Sequence, residues 1–150
     1  AEQSIEDRVR TVVGEQTVRS VLWSLIIDDF VGETLWEDLG SEWLAAIDRP
    51  YTSRELVRVG ERSWTLTRLF NAREGFDRDD DRLPAALLAG APADTDGGGA
   101  ALDAGEFEQL LDAYYRARGW GQDGLPTRET LDRLDLLDVV DDETPLGEPW

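Results

Sequence analysis

The chain is 150 residues long, carries 33 acidic residues against 15 basic ones for a formal charge of −18, and contains neither cysteine nor histidine. That length supports one domain with its own core. The missing residue types exclude disulfides, thiolate metal sites, histidine general bases and Ser-His or Cys-His nucleophiles, and the acidic coat disfavours nucleic acid and anionic membranes, which need clustered positive charge.

Every basic residue is arginine; lysine is absent. An acidic, lysine-free surface is what a salt-in halophile uses to stay soluble under strong screening, although GC-rich coding favours arginine equally well. The longest apolar run, near residues 21–27, stops at Asp28 and Asp29 and falls far short of the roughly 20 residues that span a bilayer. With no signal-type leader at the start, the expectation is a cytoplasmic protein.

In chain order, Ile5, Val9, Val12 and Val13 suggest a short helix over residues 5–13. The main early element is expected over about 15–30, where Val18, Val21, Leu22, Leu25 and Ile26 recur at helical spacing and Ile27 and Phe30 widen the stripe. Gly32 breaks it. Leu35, Trp36, Leu39, Trp43, Leu44 and Ile47 mark one helix or two, ended by Pro50. Thr52 and Glu55 form a capping box for the longest helix, which is expected to pack through Leu56, Val59, Gly60, Ser63, Trp64, Thr67 and Phe70 and to stop at Gly75. Gly60 there lets a second helix approach closely.

An aspartate is expected to cap a short turn within 77–82, and residues 89–101, rich in Ala, Gly and Asp, read as a flexible surface loop. Neither acidic run has the oxygen spacing of a calcium loop. Asp103 opens a helix with Phe107, Leu110, Leu111, Tyr114 and Tyr115 on one face, Arg116 and Arg118 at its negative end and Gly119 as its stop. Thr127 caps a last helix carrying Leu131, Leu134 and Leu137, and an acidic tail over 141–150 is expected to fray. No segment alternates like a strand. The fold class is therefore all-α, a single helical bundle of about six helices with its core in about 15–140.

Two blocks carry a family resemblance. The first holds Gly60-Glu61-Arg62, Arg68-Leu69-Phe70-Asn71, Arg73-Glu74-Gly75-Phe76, Asp80-Asp81 and Leu83-Pro84; the second runs from Tyr114-Tyr115-Arg116-Ala117-Arg118-Gly119-Trp120 into Asp123-Gly124-Leu125-Pro126-Thr127. In this order and spacing they resemble the C-terminal helical part of the tungsten-dependent aldehyde ferredoxin oxidoreductases. The resemblance implies that the complete enzyme holds a tungsten–bispterin cofactor and a 4Fe–4S cluster, oxidises an aldehyde to a carboxylic acid and passes electrons to ferredoxin. This chain would be its C-terminal domain, without cofactor and inactive alone, with upstream domains of the same or a partner chain as its partners.

The family's motif D-x-x-G-L-[C/D], whose Asp contacts a pterin and whose Cys ligates the cluster, falls on residues 23–28. Trp23 then replaces the aspartate and Ile26 the glycine, while Asp28 occupies the cysteine position. Trp23 has an N–H donor and no acceptor for a pterin, and Ile26 crowds a close backbone approach. Asp28 can in principle ligate iron, though thiolate suits a cluster better; the competing reading is that it ends a helix at a solvated edge. The alternative to a C-terminal oxidoreductase domain is a cofactor-free helical interaction module derived from the same family.

Overall fold

A computed structural model describes residues 3–28, 30, 41–85 and 103–150. Among these it contains five α-helices, two single 3-10 turns and no strand. The expectations resting on Gly32, Leu35, Trp36, Leu39 and the loop over 89–101 lie outside the described residues.

Helix α1 runs over Ile5–Ser24 as one element where two were expected. Gly14 is exposed and does not interrupt it, and the Ser4 side chain accepts from the Asp7 amide at 3.1 Å to cap it. It also ends earlier than expected, before Asp28. Helix α2 (Ser41–Ala46) sends Leu44 onto Val21 and Leu56, with Val18 and Leu25 packed around them.

Helix α3 (Ser53–Arg73) packs along α1. Its capping box forms as expected: the Thr52 hydroxyl accepts from the Glu55 amide at 3.3 Å, and Glu55 accepts from the Thr52 amide at 2.8 Å. The single expected packing face is replaced by two. Leu56 and Gly60 face α1, while Leu69 joins Leu131, Leu134 and Leu136 in a second cluster. Phe70, expected inside, is exposed. At Gly60 the helices touch backbone to side-chain-free backbone; a Cβ would stand 2.2 Å from the Thr17 carbonyl oxygen.

A 3-10 turn (Arg78–Asp80) is capped by Asp77, whose side chain accepts from the Asp79 amide at 2.7 Å. Helix α4 (Ala104–Arg118) begins at Asp103, which accepts from the Gly105 and Glu106 amides, and packs along α1. Glu106 pairs with Arg8 of α1. Helix α5 (Arg128–Arg133) is capped by Thr127, and a second 3-10 turn (Leu137–Val139) follows.

The tail read above as frayed is held at three points in this structure. Gly147 donates to the Pro126 carbonyl at 3.0 Å, Trp150 Nε1 donates to the Trp120 carbonyl at 2.8 Å, and the Arg116 guanidinium lies 3.8 Å from the Trp150 ring centre. Its acidic composition hides these anchors.

All five helices end the same way, in a Schellman turn whose left-handed residue is Ile26, Asp48, Gly75, Gly119 or Asp135. In each, the residue after it donates back across the turn, as Ile27 does to the Leu22 carbonyl at 2.9 Å and Phe76 to the Asn71 carbonyl at 3.0 Å. Glycine meets the left-handed conformation freely and aspartate tolerates it; a β-branched isoleucine does not.

Candidate functional site

The two sequence blocks meet in space. Arg68, buried on α3, makes a two-pronged pair with Asp81, Nη1 to Oδ1 at 3.1 Å and Nη2 to Oδ2 at 2.7 Å. Its Nε donates to the Gly124 carbonyl at 2.8 Å. Tyr115, fully buried on α4, donates its phenol to Asp81 Oδ2 at 2.5 Å. The Arg68 guanidinium lies 5.4 Å from the Trp120 ring centre, so cation and indole face share the same packed space. A Cβ on Gly124, at φ +76°, would stand 2.6 Å from Arg68 Nη2 and 2.8 Å from the Tyr115 ring. Glycine is required there twice over, by conformation and by space.

Around this clamp lies a cavity of about 370 Å³ whose further lining includes Gln16, Trp64, Asn71 and Tyr114. Tyr114 is the junction between three helices: it accepts from Trp64 Nε1 at 2.8 Å and donates to Gln16 Oε1 at 2.9 Å. Gln16 Oε1 also accepts from Arg118 at 2.8 Å. Arg118 is 4% exposed, and it donates to neutral acceptors: Gln16, the Thr17 hydroxyl and the Val13 carbonyl. Two aromatic faces help hold its charge, Trp64 at 5.4 Å and Tyr114 at 5.5 Å.

The chemistry of this centre is retention rather than reaction. Burial raises the Tyr115 pKa, and its hydrogen bond to Asp81 and that carboxylate's charge raise it further, against the opposing Arg68 and Arg78 guanidiniums. The phenol stays a neutral donor. Both carboxylate oxygens of Asp81 are occupied, Oδ1 by Arg68 and Oδ2 by Arg68 and Tyr115. Arg78 carries the clamp outward: burial opposes its charge, but Glu108 and Asp112 more than offset this and raise its pKa, while its backbone and side chain bond the Asp123 and Gln122 carbonyls.

Glu61, Arg62, Arg68 and Arg73 lie on one helix at spacings that would allow pairs along it. Each instead reaches another part of the chain. Glu61 pairs with Arg133, Arg62 donates to the Leu134 and Asp135 carbonyls, and Arg73 pairs with Asp141. Among the described tryptophans, Trp120 is buried, Trp64 half-buried, and Trp23, Trp43 and Trp150 are exposed.

Trp23, Ile26 and Asp28 are placed at the exposed end of α1, away from the clamp. Ile26 has φ +59°, a left-handed backbone at the residue that the resemblance sets against the motif's glycine. Asp28 Oδ1 accepts from the Phe30 amide at 2.9 Å, which is a local turn contact. These residues do not fit a pterin or an iron–sulfur cluster: an indole offers no acceptor, an isoleucine occupies the approach, and one exposed carboxylate faces its own turn. Among the described residues no three acidic side chains are grouped to hold a metal ion.

Comparison with known proteins agrees with the block order. The family model described as "Aldehyde ferredoxin oxidoreductase, domains 2 & 3" matches residues 1–136. The tungsten-containing aldehyde ferredoxin oxidoreductase of Pyrococcus furiosus is 32% identical over 95 residues, covering 63% of this chain and 15% of its own length. The Pyrococcus horikoshii protein of the same name is 28% identical over 137 residues, covering 90% of this chain and 22% of its own. A solved structure, the active-site complex BamBC of benzoyl coenzyme A reductase with 1,5-dienoyl-CoA, aligns over 60% of this chain and 12% of its own, at 33% identity and a TM-score of 0.47. The chain thus spans between about a seventh and a quarter of the curated relatives it matches. By the extent of the family match, it belongs to the aldehyde ferredoxin oxidoreductase family, as a C-terminal helical domain of that kind.

Proposed function

We propose that this chain acts as the C-terminal helical lobe of an enzyme that oxidises an aldehyde to a carboxylic acid and passes the electrons to ferredoxin, and that it works only beside the lobes that carry the cofactors. The observation that carries this reading is the family match over residues 1–136 in a chain spanning so small a share of its relatives. When bound in the complete enzyme, a tungsten–bispterin centre supplies the oxidation and an iron–sulfur cluster the electron path. This chain's own part is to hold its shape through the Arg68–Asp81–Tyr115 clamp and to present the end of α1. No step of the reaction is assigned to its residues.

No helix among the described residues is long and apolar enough to cross a membrane. A cytoplasmic location is part of the proposal. So is a salt-rich haloarchaeal setting, which rests on the −18 charge and the lack of lysine alone; the curated relatives come from Pyrococcus and Thermococcus and lend it no support.

The substitutions at Trp23 and Ile26 favour a second reading, a cofactor-free helical module derived from the family. Elemental analysis of the full-length gene product from its native host separates the two. Tungsten with about four irons per chain is the outcome expected for the enzyme. A metal-free product ends the oxidoreductase reading and leaves the module.

A further inference from the structure

We infer that residues 141–150 are a latch: seated beside the turn over 120–127, they hold that turn in place and, through it, keep the Arg68–Asp81–Tyr115 clamp shut. Every contact in the latch lies within this chain, so it stands apart from the proposed function. The family match ends at residue 136, and the latch is carried by sequence outside that match.

The turn is the part of the clamp that can leave. Arg68 and Tyr115 are fixed on α3 and α4, whereas the Gly124 carbonyl that accepts from Arg68 Nε at 2.8 Å sits on a segment with no helix of its own. The turn's internal bonds are few and local. Gly121 donates to the Leu125 carbonyl at 2.8 Å, Gly124 donates to the Gly121 carbonyl at 3.0 Å, and Asp123 Oδ1 accepts from the Leu125 amide at 3.0 Å. Segments held in this way open at lower free energy than the helices around them unless something outside braces them.

The tail supplies that brace, backbone against backbone. Gly147 is buried and donates to the Pro126 carbonyl at 3.0 Å, in a parallel bridge with Thr127. A Cβ on Gly147 would stand 2.3 Å from the Leu125 carbonyl oxygen, and one on Gly121 would stand 2.8 Å from the Glu148 carbonyl oxygen. A tail that merely lay on the surface would have no need of a glycine on each side of the contact.

Both flanks of this contact are anchored. On one side Asp141 pairs with Arg73 of α3 at 2.9 Å and accepts from the Thr144 hydroxyl at 2.6 Å, and Leu146 packs on the Leu69–Leu131–Leu134–Leu136 cluster. On the other, Trp150 Nε1 donates to the Trp120 carbonyl at 2.8 Å while the Arg116 guanidinium lies over its ring. Gly147 is therefore pressed on the turn between two fixed points.

The test is hydrogen exchange followed by NMR on the whole chain and two variants. Trp150→Ala removes the outer anchor, and Gly147→Ala sets a methyl against the Leu125 carbonyl. In both, the Gly121 and Gly124 amides should exchange about tenfold faster than in the parent, the scale of one lost hydrogen bond. The Arg68 Nε proton, bonded to Gly124, should accelerate with them. The Arg8 amide, bonded to the Ser4 carbonyl at the far end of α1, opens by local fraying and should keep its rate. If Gly147→Ala does not fold, the Trp150→Ala comparison decides. Turn amides that keep their parent rates while the chain unfolds at lower urea overturn the inference, because the turn then opens without the tail. Faster turn amides with an unchanged Arg68 Nε proton also overturn it, since the tail would then brace the turn without reaching the clamp. Turn amides as slow in the parent as the Leu69 amide overturn it as well, by showing that the turn never opens separately.

Discussion

At the scale of single residues, energy is concentrated where chemistry and geometry leave no substitute. Arg68 is buried and satisfied by Asp81 and the Gly124 carbonyl, so removing it strands a carboxylate against a packed aromatic wall. Arg68→Leu is expected to lower unfolding free energy by about 3 kcal/mol in urea denaturation, as for other broken buried pairs. Ile26 is the opposite case. Its left-handed backbone stores strain that glycine would release, so Ile26→Gly should raise stability by about 1 kcal/mol, net of glycine's extra unfolded-state entropy. An unchanged or lowered melting temperature would mean that the exposed side chain gains more inside the chain than its exposure suggests.

At the scale of elements, the packing of α3 on α1 and the start of α3 are separately testable. Gly60→Ala places a methyl 2.2 Å from a backbone carbonyl, where no side chain can yield, and should cost about 2 kcal/mol by forcing the helices apart. The capping box carries a pH signature. Bonds from the Thr52 backbone and hydroxyl lower the Glu55 pKa, so the charged form is favoured in the folded state. Its contribution is therefore full above the ordinary carboxylate pKa and is lost as pH falls through the lowered folded value. Glu55→Gln should be less stable than the parent near neutral pH, with the gap closing between about pH 5 and pH 3. Melting curves across that range check it; a gap that widens on acidification would assign the bond the wrong sign.

At the scale of the whole molecule, charge dominates. Ten ion pairs are formed among the described residues, most of them exposed, against a formal charge of −18. Exposed pairs contribute little each, whereas the excess carboxylates repel one another over the full surface. Added potassium chloride should therefore raise the melting temperature steadily, by screening repulsion more than attraction. A fall in melting temperature with salt would show that the ion pairs outweigh the net charge and would remove the physical basis for a salt-rich setting.

Local rules were legible in the sequence because they act over a few residues. The all-helical class, the caps at Thr52, Asp103 and Thr127, the stops at Gly75 and Gly119 and the close approach at Gly60 all follow from side-chain size, oxygen placement and periodicity within one turn or two. The order of the motif blocks likewise pointed to the family before any contact was known. Partnership between distant groups was not legible. Arg68, Arg62 and Glu61 had neighbours along their own helix that looked sufficient, and only tertiary packing sent them to Asp81, the Leu134 and Asp135 carbonyls and Arg133. The same holds for burial: tryptophans on an apolar stripe look alike in sequence, yet Trp120 is enclosed while Trp23 and Trp43 face solvent. Periodicity says which side of a helix is apolar, and the arrangement of the other helices decides whether anything covers it.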